Sequence, residues 1–223
     1  MLKCQFHAHA GPDPEHPLSY TEKELIKEAA HLKYDVLAIT CHNKIFHKKS
    51  LEQYAKKLGI ILFPGIEKEI QGKHVLIINA KKEAEKIETF EQLREYKNSH
   101  PNSLIIAPHP FFPGPTLKKS LIENIDIFDA IEHSFAYTTT KNYNSPAIAL
   151  AHRWRKPLLA TADVHFLKHL NLGYTLVDSA KNKTSIIQAI KKNRLKIHHQ
   201  AISYYEILKS LLIIEFQKYF FLL

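Results

Sequence analysis

Residues 34–42 read "YDVLAITCH". An apolar, partly β-branched run stops at a threonine and is followed, two residues on, by a histidine. Its length and composition predict a buried strand over 34–40. The segment before it, "TEKELIKEAAHLK" (21–33), has helical periodicity, and Thr21 followed by Glu24 is a capping-box signature. The same alternation recurs on both sides. Strands are expected over 2–9, 60–65, 74–80, 103–110, 128–134, 157–165 and 174–178. Helices are expected over 50–59, 89–98, 117–125, 145–155 and 184–193. Strands alternating with helices predict a parallel sheet covered by helices, and about seven strands allow a barrel or a doubly wound sheet.

The polar residues at the strand ends point to the barrel. His42 follows "LAIT", Glu67 follows "ILFPG", His109 follows "LIIAP", and Asp163 and His165 follow "LLA". At the chain start, "FHAHAGPD" (6–13) sets His7 and His9 one residue apart, so that a strand turns both to one face. In parallel barrels the strand C-termini gather on one face and build the active site there. Histidine and carboxylate converging from distant segments suit borderline divalent metals such as Zn, Mn or Fe. No thiolate cluster accompanies them, which excludes a structural zinc finger.

The chain has 223 residues and is 45% hydrophobic and 24% charged, the balance of a globular protein with a buried core. Two cysteines, Cys4 and Cys41, make no disulfide framework, and "MLKCQF" opens no secretory signal, so a cytoplasmic setting is expected. The net charge is +9, with lysines scattered and no tight arginine-rich patch. Solvated helix surfaces account for that pattern, and a nucleic-acid or phosphorylated partner is the other reading. The last segment, 202–223, is very apolar but is interrupted by Glu206, Lys209, Glu215 and Lys218, so no transmembrane span is expected. A helix closing the domain is expected there, with an oligomer contact or an interfacial membrane helix as alternatives. The organisation expected is a barrel over 1–200 and this helix over 201–223.

"FHAHAGPD", "DVLAITCHN", "GIEKEI", "KHVLIINA", "APHPF" and "TADVH" occur in this order along the chain. As a set, covering about residues 3–178, they resemble the PHP (polymerase and histidinol phosphatase) family of metal-dependent phosphoesterases, its small stand-alone members in particular. The resemblance implies a distorted (β/α)7 TIM-like barrel with a cluster of two or three divalent ions (Zn, Mn or Fe) at the C-terminal ends of the strands. Carried over by motif, His7, His9, Glu67 and Asp163 hold a first metal. Glu67 bridges to a second held by His74 and His109, and Asp13, His42 and His165 hold a third. His133 in "IEHS" is an alternative ligand. Cys41 stands where family members often carry aspartate before the histidine, either as a small packed residue or as one that softens the third site.

The activity this implies is hydrolysis of a phosphate ester by hydroxide bridging two metals. Asp163 orients the water or takes its proton, and His165 or His42 assists the leaving oxygen. Lys44, His47, Lys48 and Arg153 are candidate phosphate contacts. A small phosphomonoester, such as a nucleotide or sugar phosphate, is the first expectation. A 5′ or 3′ exonuclease acting on nucleic acid and a non-catalytic metal-binding regulatory module are the alternatives.

Overall fold

The structure, a computed structural model, describes residues 1–11 and 13–220. Nine strands form one sheet: β1 (Leu2–Gln5), β2 (Val36–Ile39), β3 (Ile61–Ile70), β4 (Lys73–Ile78), β5 (Leu104–Ala107), β6 (Ala130–Ser134), β7 (Leu158–Thr161), β8 (Gly173–Val177) and β9 (Leu195–His199). The helices are α1 (Glu22–His31), α2 (Lys49–Lys57), α3 (Phe90–Ser99), α4 (Lys119–Glu123), α5 (Ser145–Arg153), α6 (Lys183–Lys191) and α7 (Tyr204–Phe220). Local signals set several boundaries. Thr21 and Glu24 form the expected capping box on α1, and Thr89 and Gln92 form a second on α3.

The sheet order is β7-β6-β5-β4-β3-β2-β1-β8-β9. Beyond its ends, the Ala8–Val164 bridge joins the extensions of β1 and β7, with the His9 N–H donating to the Val164 oxygen at 3.1 Å. That bridge closes β1 to β7 into a ring, giving an α/β TIM-like barrel. Two features depart from the expected all-parallel sheet. β3 and β4 pair antiparallel, joined by Gln71 and Gly72 at φ 50° and 71°. Two successive positive-φ residues are the geometry of a tight hairpin turn, which fits the twist of the flanking strands. β8 pairs antiparallel to β1, and β9, which the sequence reading had not anticipated, pairs antiparallel to β8.

Alternation along the strands decides what enters the barrel. Val36, Ala38, Phe63, Leu76, Ile106 and Leu159 pack together inside, with Ile186 and Ile190 of α6 closing one end. Their neighbours Leu37, Ile39 and Leu62 face outward against α1 and α2. Continuing the inward phase gives His42, Glu67, His74, Glu132 and Asp163 at the opposite end. In β1 the phase shifts once. The Gln5 side-chain oxygen accepts from both the Phe6 N–H (3.1 Å) and the His7 N–H (3.2 Å), and after this local bulge His7 and His9 take the inward positions. Gly173 lets β8 pass close to β7, because a Cβ there would lie 2.5 Å from the Thr161 carbonyl oxygen.

The closing helix expected over 202–223 is helical over Tyr204–Phe220, and residues 221–223 lie outside the described residues. Among the described residues no helix is long and apolar enough to cross a membrane.

Candidate metal centre

Glu67 is the hub. Its Oε2 lies 3.1 Å from His7 Nε2 and 3.2 Å from both His9 Nε2 and His42 Nε2. Its Oε1 lies 2.8 Å from His74 Nδ1 and 3.1 Å from His109 Nε2. Asp163 Oδ1 lies 3.2 Å from the same Nε2 atoms of His7 and His9. His7, His9 and Glu67 are almost wholly buried.

An outer layer of acceptors fixes the imidazole tautomers. His7 Nδ1–H donates to Glu132 Oε1 at 2.9 Å, His9 Nδ1–H to Asp13 Oδ2 at 2.8 Å, and His42 Nδ1–H to Asp13 Oδ1 at 3.0 Å. Glu132 also accepts from the Thr161 hydroxyl and the His109 backbone N–H. With Nδ1 donating outward, each neutral ring turns the Nε2 lone pair inward. Four acceptor atoms, His7 Nε2, His9 Nε2, Glu67 Oε2 and Asp163 Oδ1, then converge at 3.1–3.3 Å. Lone pairs crowd so closely only around protons or a cation. His165 makes the same point: its Nδ1–H donates to the Asp163 carbonyl oxygen at 3.0 Å, and its buried Nε2 has no hydrogen-bond partner among the described residues. These donor sets fit divalent metal ions.

Without an ion the cluster holds itself together by protonation. Burial opposes a charge on His7 and His9, yet Asp163, Glu67 and Glu132 around His7, and Asp13, Asp163 and Glu67 around His9, hold both well above the usual histidine range. Burial likewise opposes ionisation of Glu67, and the surrounding histidines hold it well below the usual carboxylate range. His165 goes the other way: burial, reinforced by the charge of His9, pushes it down to about 3.

Every ligand carried over by motif lies in or beside this cluster. Asp13 touches His9 and His42 rather than the hub. His74 reaches the mouth because β4 runs antiparallel, so that its first residues lie beside the ends of the parallel strands. His109 and Asp163 turn in at φ 28° and 39°, a conformation that costs a non-glycine residue and concentrates at functional sites.

His133 does not join the cluster. It faces away from Glu132 and stacks on the His199 ring at 4.0 Å. Cys41 is buried in the outer core, its Sγ 3.7 Å from the Ala10 oxygen, and burial pushes its thiol up to about 12. None of the expected phosphate contacts lines the cavity at the barrel mouth. Lys44 and Lys48 are exposed, His47 lies 3.5 Å from Glu52, and Arg153 is exposed at the end of α5, near where β7 begins and hence at the far end of the barrel. Two residues of the site escaped sequence reasoning. Glu132 orients His7, and His16 lies with its ring 4.9 Å from His42 and 5.1 Å from His165. A cavity of about 350 Å³ opens above the cluster, with Glu67, Asp163 and His165 in its floor.

This is a TIM-like barrel with a histidine–carboxylate centre at its mouth. No family model and no curated protein matches the chain. Solved structures do. A two-domain protein from Bacteroides vulgatus, described as containing a predicted PHP-like metal-dependent phosphoesterase, is 19% identical at a TM-score of 0.64, over 96% of this chain and 69% of that one. PsfC from Pseudomonas syringae is 16% identical at a TM-score of 0.68, over 97% of both chains. The lesion-specific endonuclease PfuEndoQ from Pyrococcus furiosus is 16% identical at 0.62, over 88% of this chain and 57% of that one. At these identities the likeness is one of fold, and the fold is that of the PHP-like phosphoesterases.

Proposed function

We propose that this chain is a metal-dependent phosphoesterase whose substrate is a small phosphate monoester. The observation that carries the reading is the convergence of His7 Nε2, His9 Nε2, Glu67 Oε2 and Asp163 Oδ1 on one point in the floor of a cavity. The fold it shares with PHP-like structures supports it.

His7, His9, Glu67 and Asp163 would hold one divalent ion, Glu67, His74 and His109 a second, and His42 and His165, with Asp13 beside them, a third. Bound there, such ions supply Lewis-acid charge for phosphate oxygens and acidify a water. The chain's own residues do the rest. Glu67 ties the sites together through its two oxygens. Asp13 and Glu132 keep the imidazoles in the tautomer that offers Nε2. Asp163, at the border between cluster and cavity, is the residue to orient the attacking water and take its proton. His165, depressed by burial, stays neutral and keeps its Nε2 lone pair available.

The test is metal content together with turnover of phosphomonoesters, phosphodiesters and oligonucleotides. Bound divalent metal with monoester hydrolysis, lost in His7→Ala, supports the reading. Absence of both after reconstitution would sink it in favour of a binding module. A nuclease reading is favoured by the shared fold with PfuEndoQ and by the +9 net charge, and trimming of oligonucleotides would establish it.

A further inference from the structure

The walls of the cavity bear on what the alcohol part of the ester is. Above the ligand floor stand Pro113 and Pro115 from the segment after β5, Phe135 after β6, Phe166 after β7, and Ile202 and Ile207 from the start of the C-terminal segment. Although the chain carries a net charge of +9, no lysine or arginine among the described residues lines this space. The basic residue beside Phe166, Lys168, pairs instead with Glu206.

The C-terminal wall is held in place. Glu206 is bonded by Lys168 and lies 3.3 Å from His169 Nε2, and the Ile202 N–H donates to the Tyr137 oxygen at 3.0 Å. Most polar wall groups are already engaged. The Thr116 hydroxyl donates to the Phe112 oxygen at 2.8 Å, and His169 faces Glu206. Ser210 Oγ is buried and has no hydrogen-bond partner among the described residues.

One phosphate group finds its counter-charge at the floor. A second phosphate would lie against proline, phenylalanine and isoleucine with no lysine or arginine to meet it, and would lose its hydration. A ring of sugar hydroxyls would lose water without recovering hydrogen bonds. A compact apolar group gains by leaving water, and a cavity of about 350 Å³ has room for one. We infer that the cavity selects phosphate monoesters whose alcohol carries a compact apolar or aromatic group, with Phe166 and Ile207 as specificity-determining residues. The inference rests on the phosphoesterase reading of the floor and narrows its substrate class away from nucleotides and sugar phosphates.

The experiment is titration calorimetry of the full, metal-loaded chain with benzylphosphonate and with 2-hydroxyethylphosphonate, neither of which is hydrolysed. Benzylphosphonate is expected to bind at least about tenfold more tightly. In Ile207→Asn and in Phe166→Ser that preference should shrink to about twofold or less, chiefly through weaker binding of benzylphosphonate. Ile207→Ala, which should lower the preference by a smaller factor, covers an Asn variant that fails to fold. Steady-state kcat/KM for phenyl phosphate over glycerol phosphate should follow the same ratios. Binding of both phosphonates with no preference, or a preference untouched by the variants, overturns this inference and leaves the phosphoesterase reading standing. Absence of binding together with absence of turnover of any phosphate ester removes both.

Discussion

His7 Nδ1 lies 2.9 Å from Glu132 Oε1, and both side chains are fully buried in the barrel. Glu132 bonds His7 on its Nδ1 side and so determines which nitrogen His7 turns toward Glu67 and Asp163. It is itself held by the Thr161 hydroxyl and the His109 backbone N–H. Outer partners of this kind typically change metal affinity by about 10- to 100-fold when removed. Glu132→Gln keeps the shape and can present an amide N–H instead of an acceptor, forcing His7 toward the wrong tautomer. Metal affinity measured against a competing chelator should fall by about one to two orders of magnitude, with the circular dichroism spectrum unchanged.

Metal binding should release protons. In the metal-free chain, burial opposes the charge on His7, His9 and His109, but the surrounding carboxylates raise all three above the ordinary histidine value, so they hold protons near neutrality. An ion can take the Nε2 lone pairs only after those protons leave. Affinity should therefore rise with pH from 6 to 8 by about tenfold per unit for each proton displaced. Calorimetry in buffers of different ionisation enthalpy measures the number directly, and a value of zero would mean that the histidines are not the ligands.

Much of this centre was legible in the sequence, because polar residues that interrupt apolar strands at their ends stand out. His42, Glu67, His109 and Asp163 were visible for that reason, and His7 and His9 by their spacing. His74 was legible only through the family resemblance: it begins a strand instead of ending one, and the strand-end rule assumes parallel strands. The antiparallel β3–β4 turn that reverses the rule is built on Gln71 and Gly72, a weaker hairpin signal than Asn-Gly. Glu132 was overlooked because every residue of β6 is buried, so "AIEHS" shows no polar–apolar alternation to say whether Glu132 or His133 faces inward. The phase could be set only by neighbouring strands. β9, "LKIHH", is short and exposes Lys196, His198 and His199, and its pairing with β8 is a tertiary fact.

Gly173 should tolerate no side chain. A Cβ there would sit 2.5 Å from the Thr161 oxygen and 3.0 Å from the Thr161 carbonyl carbon, both backbone atoms of a barrel strand. Relief requires β7 and β8 to separate, and Thr161 also carries the hydroxyl that steadies Glu132. Gly173→Ala should cost roughly 1–3 kcal/mol in denaturant unfolding and lower metal affinity as well. Gly59, at φ 79° with open space around it, is the control: alanine there should cost only about 1 kcal/mol and leave metal affinity unchanged.

His133 should give the protein an acid-side loss of stability independent of the metal centre. It is almost fully buried, stacked 4.0 Å from His199, with the Tyr137 ring edge-on at 5.3 Å. Burial, and then the neighbouring His199, push its pKa down to about 4. The folded state thus prefers neutral His133, while the unfolded chain takes up a proton near the ordinary value of 6.5. A depressed histidine contributes stability that is complete above pH 6.5 and is lost progressively as pH falls toward 4. The whole effect is on the order of 3 kcal/mol. The raised histidines of the metal-free centre act with the opposite sign, so the comparison must isolate one residue. Stability of the wild type and of His133→Gln should be measured by urea unfolding at pH 7.5 and 5. The wild type should lose more on acidification than the variant, and parallel losses in the two proteins would show that His133 is not the group being protonated.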